Sequence, residues 1–314
     1  GALIDRFGGQ ADIQNRVIRH VDERTFRRDP LRAIRAAQFA ARLEFAIAPE
    51  TMALCRTLDL DGLARERVMG EMEKALTRSR RPSRCFEALR EMGQLEPWLK
   101  EVAALIGVKQ RADCHPGGDA WTHTMLVVDE AAKLRDEAKN PTGLMLAALL
   151  HDVGKAVAMQ EKDGVIHAYG HETAGVPLAE EFLRRLTGEK ALCRYVLNMV
   201  ELHMKPNMYA AQNSGQKAWN RLFDRSACPE DLLLLAKADH RGRINAAPYA
   251  ETERTIRARL SAYEEMMARP HITGADLLAR GIQPGEEMGR LLEEAHRLRL
   301  AGVKKEDALR QMRL

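Results

Sequence analysis

Seven consecutive apolar residues, Leu144-Met145-Leu146-Ala147-Ala148-Leu149-Leu150, run directly into His151-Asp152. A segment that is apolar on every side has to be enclosed by other elements, and the polar pair at its end is carried inward with it. The run predicts a buried helix over 142–150. An imidazole and a carboxylate at such a helix end can be aimed into one cavity, where they suit a hard-to-borderline divalent metal. One pair is not a site. His123 lies one predicted helix upstream and Asp239 near the end of a later one, so two imidazoles and two carboxylates come from three helices. His171 and His203 can add ligands for a second metal. A lone histidine is more often a hydrogen-bonded structural residue than a ligand, but six such residues in this arrangement reverse that reading.

The chemistry of this set fits phosphate-ester hydrolysis. A divalent metal acidifies water enough to furnish hydroxide near neutral pH and offsets charge on phosphoryl oxygens. Lys155, four residues after His151, is placed to meet a phosphate oxygen as a compact cation. Asp152 and Lys155 are therefore the expected catalytic residues. The expected metal ligands are His123, His151, Asp152, His171, His203 and Asp239, holding one or two ions of magnesium, manganese, nickel or cobalt. His115, His167 and His240 lie close in sequence to these ligands without a role in the pattern, and a surface position is the simpler expectation for each.

The rest of the chain reads as helix. Asp29-Pro30 is expected to open one, with Asp29 as cap, and amphipathic segments follow at 49–57, 66–77 and 82–92. Further helices are expected at 121–137, 173–186, 191–204, 216–223, 229–239 and 250–267, before a compact tail from Pro270. Only 159–169, with its Asp163-Gly164 turn, reads as a small hairpin or an irregular loop. The fold class is thus all-α: a short entry segment and helical bundle over the first hundred residues, a second helical bundle around the histidines, and a small helical tail.

At 314 residues, 45% apolar and 30% charged, with no long apolar stretch, the chain is expected to be a globular protein of two or three units without a membrane partner. Five cysteines, widely spaced and without a CxxC pair, exclude a disulfide framework or zinc ribbon and point to a reducing, cytoplasmic setting. No signal or transit segment is expected from the residues that follow Gly1. Arginine outnumbers lysine 36 to 13, and 18 basic residues face 13 acidic ones up to Arg90. Planar guanidinium forks favour an anionic partner at that end of the chain.

The order His123, His151-Asp152, Asp239 resembles the pattern of HD-domain metal-dependent phosphohydrolases, and His171 and His203 match the extra histidines of the dinuclear subset. The flanks narrow the resemblance. Residues Gly1 to Gly9, then Asp12, Asn15-Arg16 and Ile18-Arg19, lead into Arg28-Asp29-Pro30-Leu31-Arg32-Ala33-Ile34-Arg35 and Gln38-Phe39-Ala40-Ala41-Arg42. With Glu66 to Leu76, they are similar to the neck and body of bacterial class II tRNA nucleotidyltransferases, the CCA-adding enzymes and poly(A) polymerases. Ile272 to Leu278, then Gly281, Pro284-Gly285 and Gly289, resemble the same family's C-terminal region.

The resemblance implies three parts: a nucleotide- and RNA-binding neck and body over 1–110, an HD phosphohydrolase over 111–245, and a tRNA-binding helical tail over 246–314. It implies that Asp29 and Arg32 read an incoming nucleotide, although Arg28 stands where the family motif carries glutamate. It implies tRNA or other RNA 3′ ends and nucleotides as partners, with no DNA. The expected ester is a 2′,3′-cyclic phosphate, a 2′-nucleotide or a phosphate end of RNA. The family's nucleotidyl-transfer head, with its Gly-Gly and Asp-x-Asp signatures, is expected to be missing here. Gly8-Gly9 belongs to the neck pattern, and Asp59-Leu60-Asp61 lacks a strand to present it. Two other readings are an RNA-binding scaffold with a vestigial metal site and a free-standing HD enzyme acting on small nucleotides. In the tail, Gly281 to Gly289 can offer backbone amides to an RNA phosphate or pack helices through small residues.

Overall fold

A computed structural model describes residues 4–110, 118–162 and 165–313. His115, with Cys114, Pro116 and Gly117, lies outside the described residues, as does the Asp163-Gly164 turn. Helices dominate. Among the described residues the strands form two minimal sheets, Val17–Ile18 parallel to Ala46–Ile47 and Gln160–Lys162 antiparallel to Val165–His167. The fold is all-α, and on either side of 163–164 the strands Gln160–Lys162 and Val165–His167 pair antiparallel, in keeping with the hairpin reading. No described helix is long and apolar enough to cross a membrane.

The chain divides into two compact units where the sequence reading had three parts. One comprises Gly1–Met204 with Glu230–Pro248, the other Lys205–Pro229 with Tyr249–Leu314. In the first, the helix Leu31–Leu43 buries a face built mostly of alanine, Ala33, Ala36, Ala37, Ala40 and Ala41 beside Leu31 and Ile34. Small side chains let the helices Arg65–Arg78 and Ser83–Glu91 pack close against it. Its start differs from expectation. Pro30 occupies the cap position without a side-chain cap, and the Asp29 carboxylate instead accepts a hydrogen bond from Arg67 at 2.7 Å.

The apolar run forms the helix Pro141–Leu150, capped by Asn140 through the amide of Gly143, and every residue from Gly143 to Leu150 is buried. The helices Ala120–Ala132, Lys190–Leu202 and Arg65–Arg78 surround it. Its first turn is pinned by a wholly buried carboxylate: Asp231 accepts from the amides of Lys139 and Asn140 at 2.8 and 2.9 Å and from the Tyr195 hydroxyl at 2.6 Å. A buried carboxylate is tolerated when donors satisfy it, and here three donors tie the loop, the helix Lys190–Leu202 and the helix Pro229–Arg241 together. The expected helix over 121–137 stops at Ala132, and a short 3₁₀ turn, Arg135–Glu137, follows.

The second unit has its own small core of Ile272, Leu277, Ala295 and Ala308. A capping box between Thr273 and Asp276 starts the helix Gly274–Leu278, and Lys305 pairs with Asp276 at 2.8 Å. The amides of Gly281 and Gly289 bond to the carbonyls of Leu278 and Gly285, and no atom stands within 4 Å of a Cβ placed at Gly281, Gly285 or Gly289.

Candidate metal centre

Five helix ends deliver the six expected ligands to one place. His123 comes from the first turn of Ala120–Ala132, whose start Asp119 caps by accepting from the Thr122 amide. His151 caps the end of the apolar helix, and Asp152 follows it. His171 opens the helix His171–Leu186, His203 closes Lys190–Leu202, and Asp239 lies in the last turns of Pro229–Arg241. All six are buried. His123, His151 and Asp239 form one group of converging ligand atoms, and Asp152, His171 and His203 form another.

Asp152 joins the two groups. Its Oδ2 stands 3.2 Å from His151 Nε2 and 3.5 Å from His123 Nε2, while its Oδ1 stands 3.1 Å from His171 Nε2 and 3.7 Å from His203 Nε2. His123 Nε2 also lies 3.1 Å from Asp239 Oδ1. Each histidine turns its other nitrogen to a backbone carbonyl: His151 to Ala148, His171 to Ala168, His203 to Val200, at 2.7–2.9 Å, and His123 to Gly242 at 3.3 Å. A carbonyl that accepts from Nδ1–H orients the ring with Nε2 facing inward, which is the usual support for a metal-bound imidazole. His203 Nε2 and Asp239 Oδ2 are buried without a hydrogen-bond partner among the described residues. Buried acceptors of this kind call for a cation, so the donor set fits a divalent metal.

The electrostatics point the same way. Burial, with the charge on His151 second, pushes the His203 imidazole down to about 3, which keeps it neutral as a ligand must be. Burial also lowers His123, against the pull of Asp239. For Asp152, burial alone would raise the carboxyl, but the charges of His151 and Lys155 and the bonds from His151 and His171 hold it well below the usual carboxylate range. Asp239 is likewise held down, because its bond to His123 and the nearby Arg243 outweigh burial. Burial disfavours charge on His151 and His171 too, yet Asp152 beside them raises both. Six donor side chains crowd together around two buried carboxylates, an arrangement that an added divalent charge would complete.

A cavity of about 300 Å³ opens onto Asp152, His171 and Asp239. Lys155 lines it, with Nζ 2.6 Å from Asp152 Oδ2 and bonded to Gln110 Oε1 at 2.7 Å. Arg243, not singled out from the sequence, lines it as well and approaches Asp239 Oδ2 at 3.5 Å. Its only sequence signal is a position one helical turn beyond Asp239. Gln110 gave none.

Asp29 and Arg32 lie apart from this cluster in contacts. Arg67 holds the Asp29 carboxyl below its ordinary value through their hydrogen bond, and Arg32 donates to the Thr25 carbonyl. The acceptor and donor expected to act together are each engaged within the chain, Asp29 by Arg67 and Arg32 by the Thr25 carbonyl. Of the other histidines, His240 donates from Nε2 to the Ala247 carbonyl, 2.9 Å away, and His167 stacks on Tyr169 beside the cavity.

The all-α scaffold gathers histidine and aspartate from five helix ends into two groups that could hold a metal ion, and residues 120–260 match the HD domain family. Residues 44–106 match the family described as the probable RNA and SrmB-binding site of polymerase A. The chain is 39% identical over 316 residues to the multifunctional CCA protein of Burkholderia cenocepacia (strain HI2424), covering 96% of this chain and 72% of that protein. It is 34% identical over 320 residues to the multifunctional CCA protein of Actinobacillus pleuropneumoniae serotype 5b (strain L20), covering 97% and 74%. The chain belongs to the multifunctional CCA protein family. In fold it is similar to a CCA-adding enzyme solved with ATP (TM-score 0.62, 16% identity, 98% of this chain and 65% of that one). The Thermotoga maritima CCA-adding enzyme complexed with tRNA-CCA is similar too (TM-score 0.56, 16% identity, 98% and 67%). The chain thus spans about two thirds of the length of these solved enzymes.

Proposed function

We propose that this chain is a metal-dependent HD phosphohydrolase that acts on 2′,3′-cyclic phosphates, 2′-nucleotides or phosphate ends of RNA, within a cytoplasmic tRNA 3′-end-processing protein. The observation that carries the reading is Asp152, whose two oxygens face the two histidine groups at the floor of an open cavity. A divalent ion held by His123, His151, Asp152 and Asp239, with a second at Asp152, His171 and His203, would supply Lewis acidity toward a phosphoryl oxygen. The chain's own residues do the rest. Lys155 and Arg243 present positive charge to phosphate oxygens entering the cavity, the ammonium as a point charge and the guanidinium as a fork. The four carbonyl bonds hold the imidazoles in one orientation, so no reorganisation is needed when substrate arrives.

The RNA-binding part of the proposal assigns 1–110 to nucleotide and RNA, 111–245 to hydrolysis and 246–314 to tRNA, with Asp29 and Arg32 reading a nucleotide. It is supported by family membership and by the basic N-terminal segment. Nucleotide addition is not assigned to these 314 residues. Two measurements test the hydrolase. Purified protein should carry a divalent metal, and adenosine 2′,3′-cyclic phosphate should be hydrolysed by the native chain but not by Asp152→Ala. Activity that survives in Asp152→Ala, or protein without divalent metal above trace, refutes it. Comparing RNA ends with small nucleotides as substrates separates it from a free-standing nucleotide hydrolase.

A further inference from the structure

Among the described residues, Tyr169 is the most exposed large apolar side chain at 84%, and it is not isolated. Its ring stacks on that of His167, with centroids 4.9 Å apart and planes 15° from parallel. His167 ends the strand Val165–His167, and Gly170, at φ +73°, turns the chain into the helix that begins with His171. Both rings line the cavity that holds Asp152, Lys155 and Arg243. Ala168, between the two rings, also lines it and accepts the Nδ1–H of His171 at 2.8 Å, so the segment that carries the rings also orients a ligand of the metal centre. A stacked pair needs no further partner to be stable, yet this one leaves a flat aromatic face open beside a cluster of cations.

From this geometry we propose that Tyr169, backed by His167, is a stacking platform for the nucleobase of the ester whose phosphate enters the cavity. The inference rests on the phosphohydrolase reading and narrows its substrate class to nucleoside phosphates with an unstacked base. A phosphate drawn toward Lys155 and Arg243 leaves its attached nucleoside at the cavity mouth, where the open ring offers a π-face that any base can cover. The platform takes bases without hydrogen-bond selection, so purines bind more tightly than pyrimidines by stacking area alone.

Equilibrium binding by calorimetry to the full chain tests this, with adenosine 2′-monophosphate, ribose 5-phosphate and a short single-stranded oligonucleotide ending in a 2′-phosphate. Tyr169→Ala should weaken adenosine 2′-monophosphate or the oligonucleotide roughly tenfold and leave ribose 5-phosphate unchanged, while Tyr169→Phe restores binding within about twofold. A loss confined to the oligonucleotide supports the platform and makes an RNA end the source of the base; a loss with both admits free nucleotides. Equal binding of every ligand by Tyr169→Ala and the native chain overturns it, as does an equal loss of ribose 5-phosphate. Because Tyr169 is exposed, the alanine variant should fold normally, which circular dichroism checks. Hydrolysis is read separately on the native chain. If no ester is cleaved while the binding difference persists, the phosphohydrolase reading fails and the platform stands.

Discussion

Gly154 lies between Asp152 and Lys155 and shows how tightly the second ligand group is built. Its backbone is helical, at φ −66° and ψ −17°, so alanine meets no torsional objection and would gain about 0.5–1 kcal/mol from reduced chain entropy in an open setting. The setting is not open. A Cβ at this position would stand 2.0 Å from the His171 carbonyl oxygen, 2.5 Å from the Gly175 nitrogen and 2.9 Å from its Cα. All three are backbone atoms, which cannot swing aside as a side chain would. Ordinary contact begins at 3.4 Å, so the start of the helix His171–Leu186 has to retreat by roughly 1.4 Å. His171 Nε2 stands 3.1 Å from Asp152 Oδ1, and a retreat of that size carries it beyond 4 Å. Overpacking of this kind costs about 1–3 kcal/mol, and a unit of this size loses about 2–4 °C of melting temperature for each. Gly154→Ala should therefore lower stability in urea by at least that amount and weaken metal binding at Asp152, His171 and His203 more than at the other group. Gly175→Ala, whose Cβ would come no nearer than 3.2 Å, should do less of both. Unfolding curves and metal titration calorimetry on the two variants decide it. A Gly154→Ala protein within about 0.5 kcal/mol of the native one, with unchanged metal binding, refutes the close-approach argument.

Four further outcomes are expected. Gly70→Ala, in the middle of the helix Arg65–Arg78 with nothing near its Cβ, should raise stability by about 0.5–1 kcal/mol; a loss of stability in thermal unfolding would contradict this. Asp231→Ala removes the buried acceptor of two part-buried amides and of the Tyr195 hydroxyl and should cost about 3 kcal/mol or more, with Asp231→Asn intermediate, as read from denaturant midpoints. Burial pushes the Cys55 thiol up to about 11 and Cys85 up to about 12, so at pH 8 both should react with a thiol reagent more slowly than Cys193. These raised values stabilise the fold fully below the unfolded thiol value near 8.5 and the contribution is lost as pH rises toward 11–12, which an alkaline unfolding series reads. Asp29 is lowered by Arg67, so its contribution is present above the unfolded carboxyl value near 3.9 and is lost as pH falls through the lower folded one. Native protein and Arg67→Ala should accordingly differ in stability at pH 6 and converge near pH 2.

What could be read from the chain before any coordinates, and what could not, divides along physical lines. The apolar run before His151 announced its own burial because no polar residue interrupts it, and a histidine-aspartate pair at its end can only be buried for a reason. The convergence of the other expected ligands is legible because each sits at or near a predicted helix end, where one backbone turn sets where a side chain points. Asp231 gave no such sign: its donors lie 91 and 36 residues away, and an aspartate in a helix's first turn looks like ordinary dipole compensation. Asp29 was read as a cap for the same reason, since its partner Arg67 lies 38 residues further on. The division into units was the least legible feature. Residues 205–229 fall between two ligands of the centre, yet they pack with the tail, where Asn220 donates to the carbonyl of Leu300, 80 residues away. The chain therefore leaves the first unit just after His203 and returns before Asp239. The separation of those two candidate ligands in sequence records the length of that excursion and carries no information about a metal. Order and local setting identify such a centre; spacing does so only for ligands whose connecting chain never leaves the unit, as between His123 and His151.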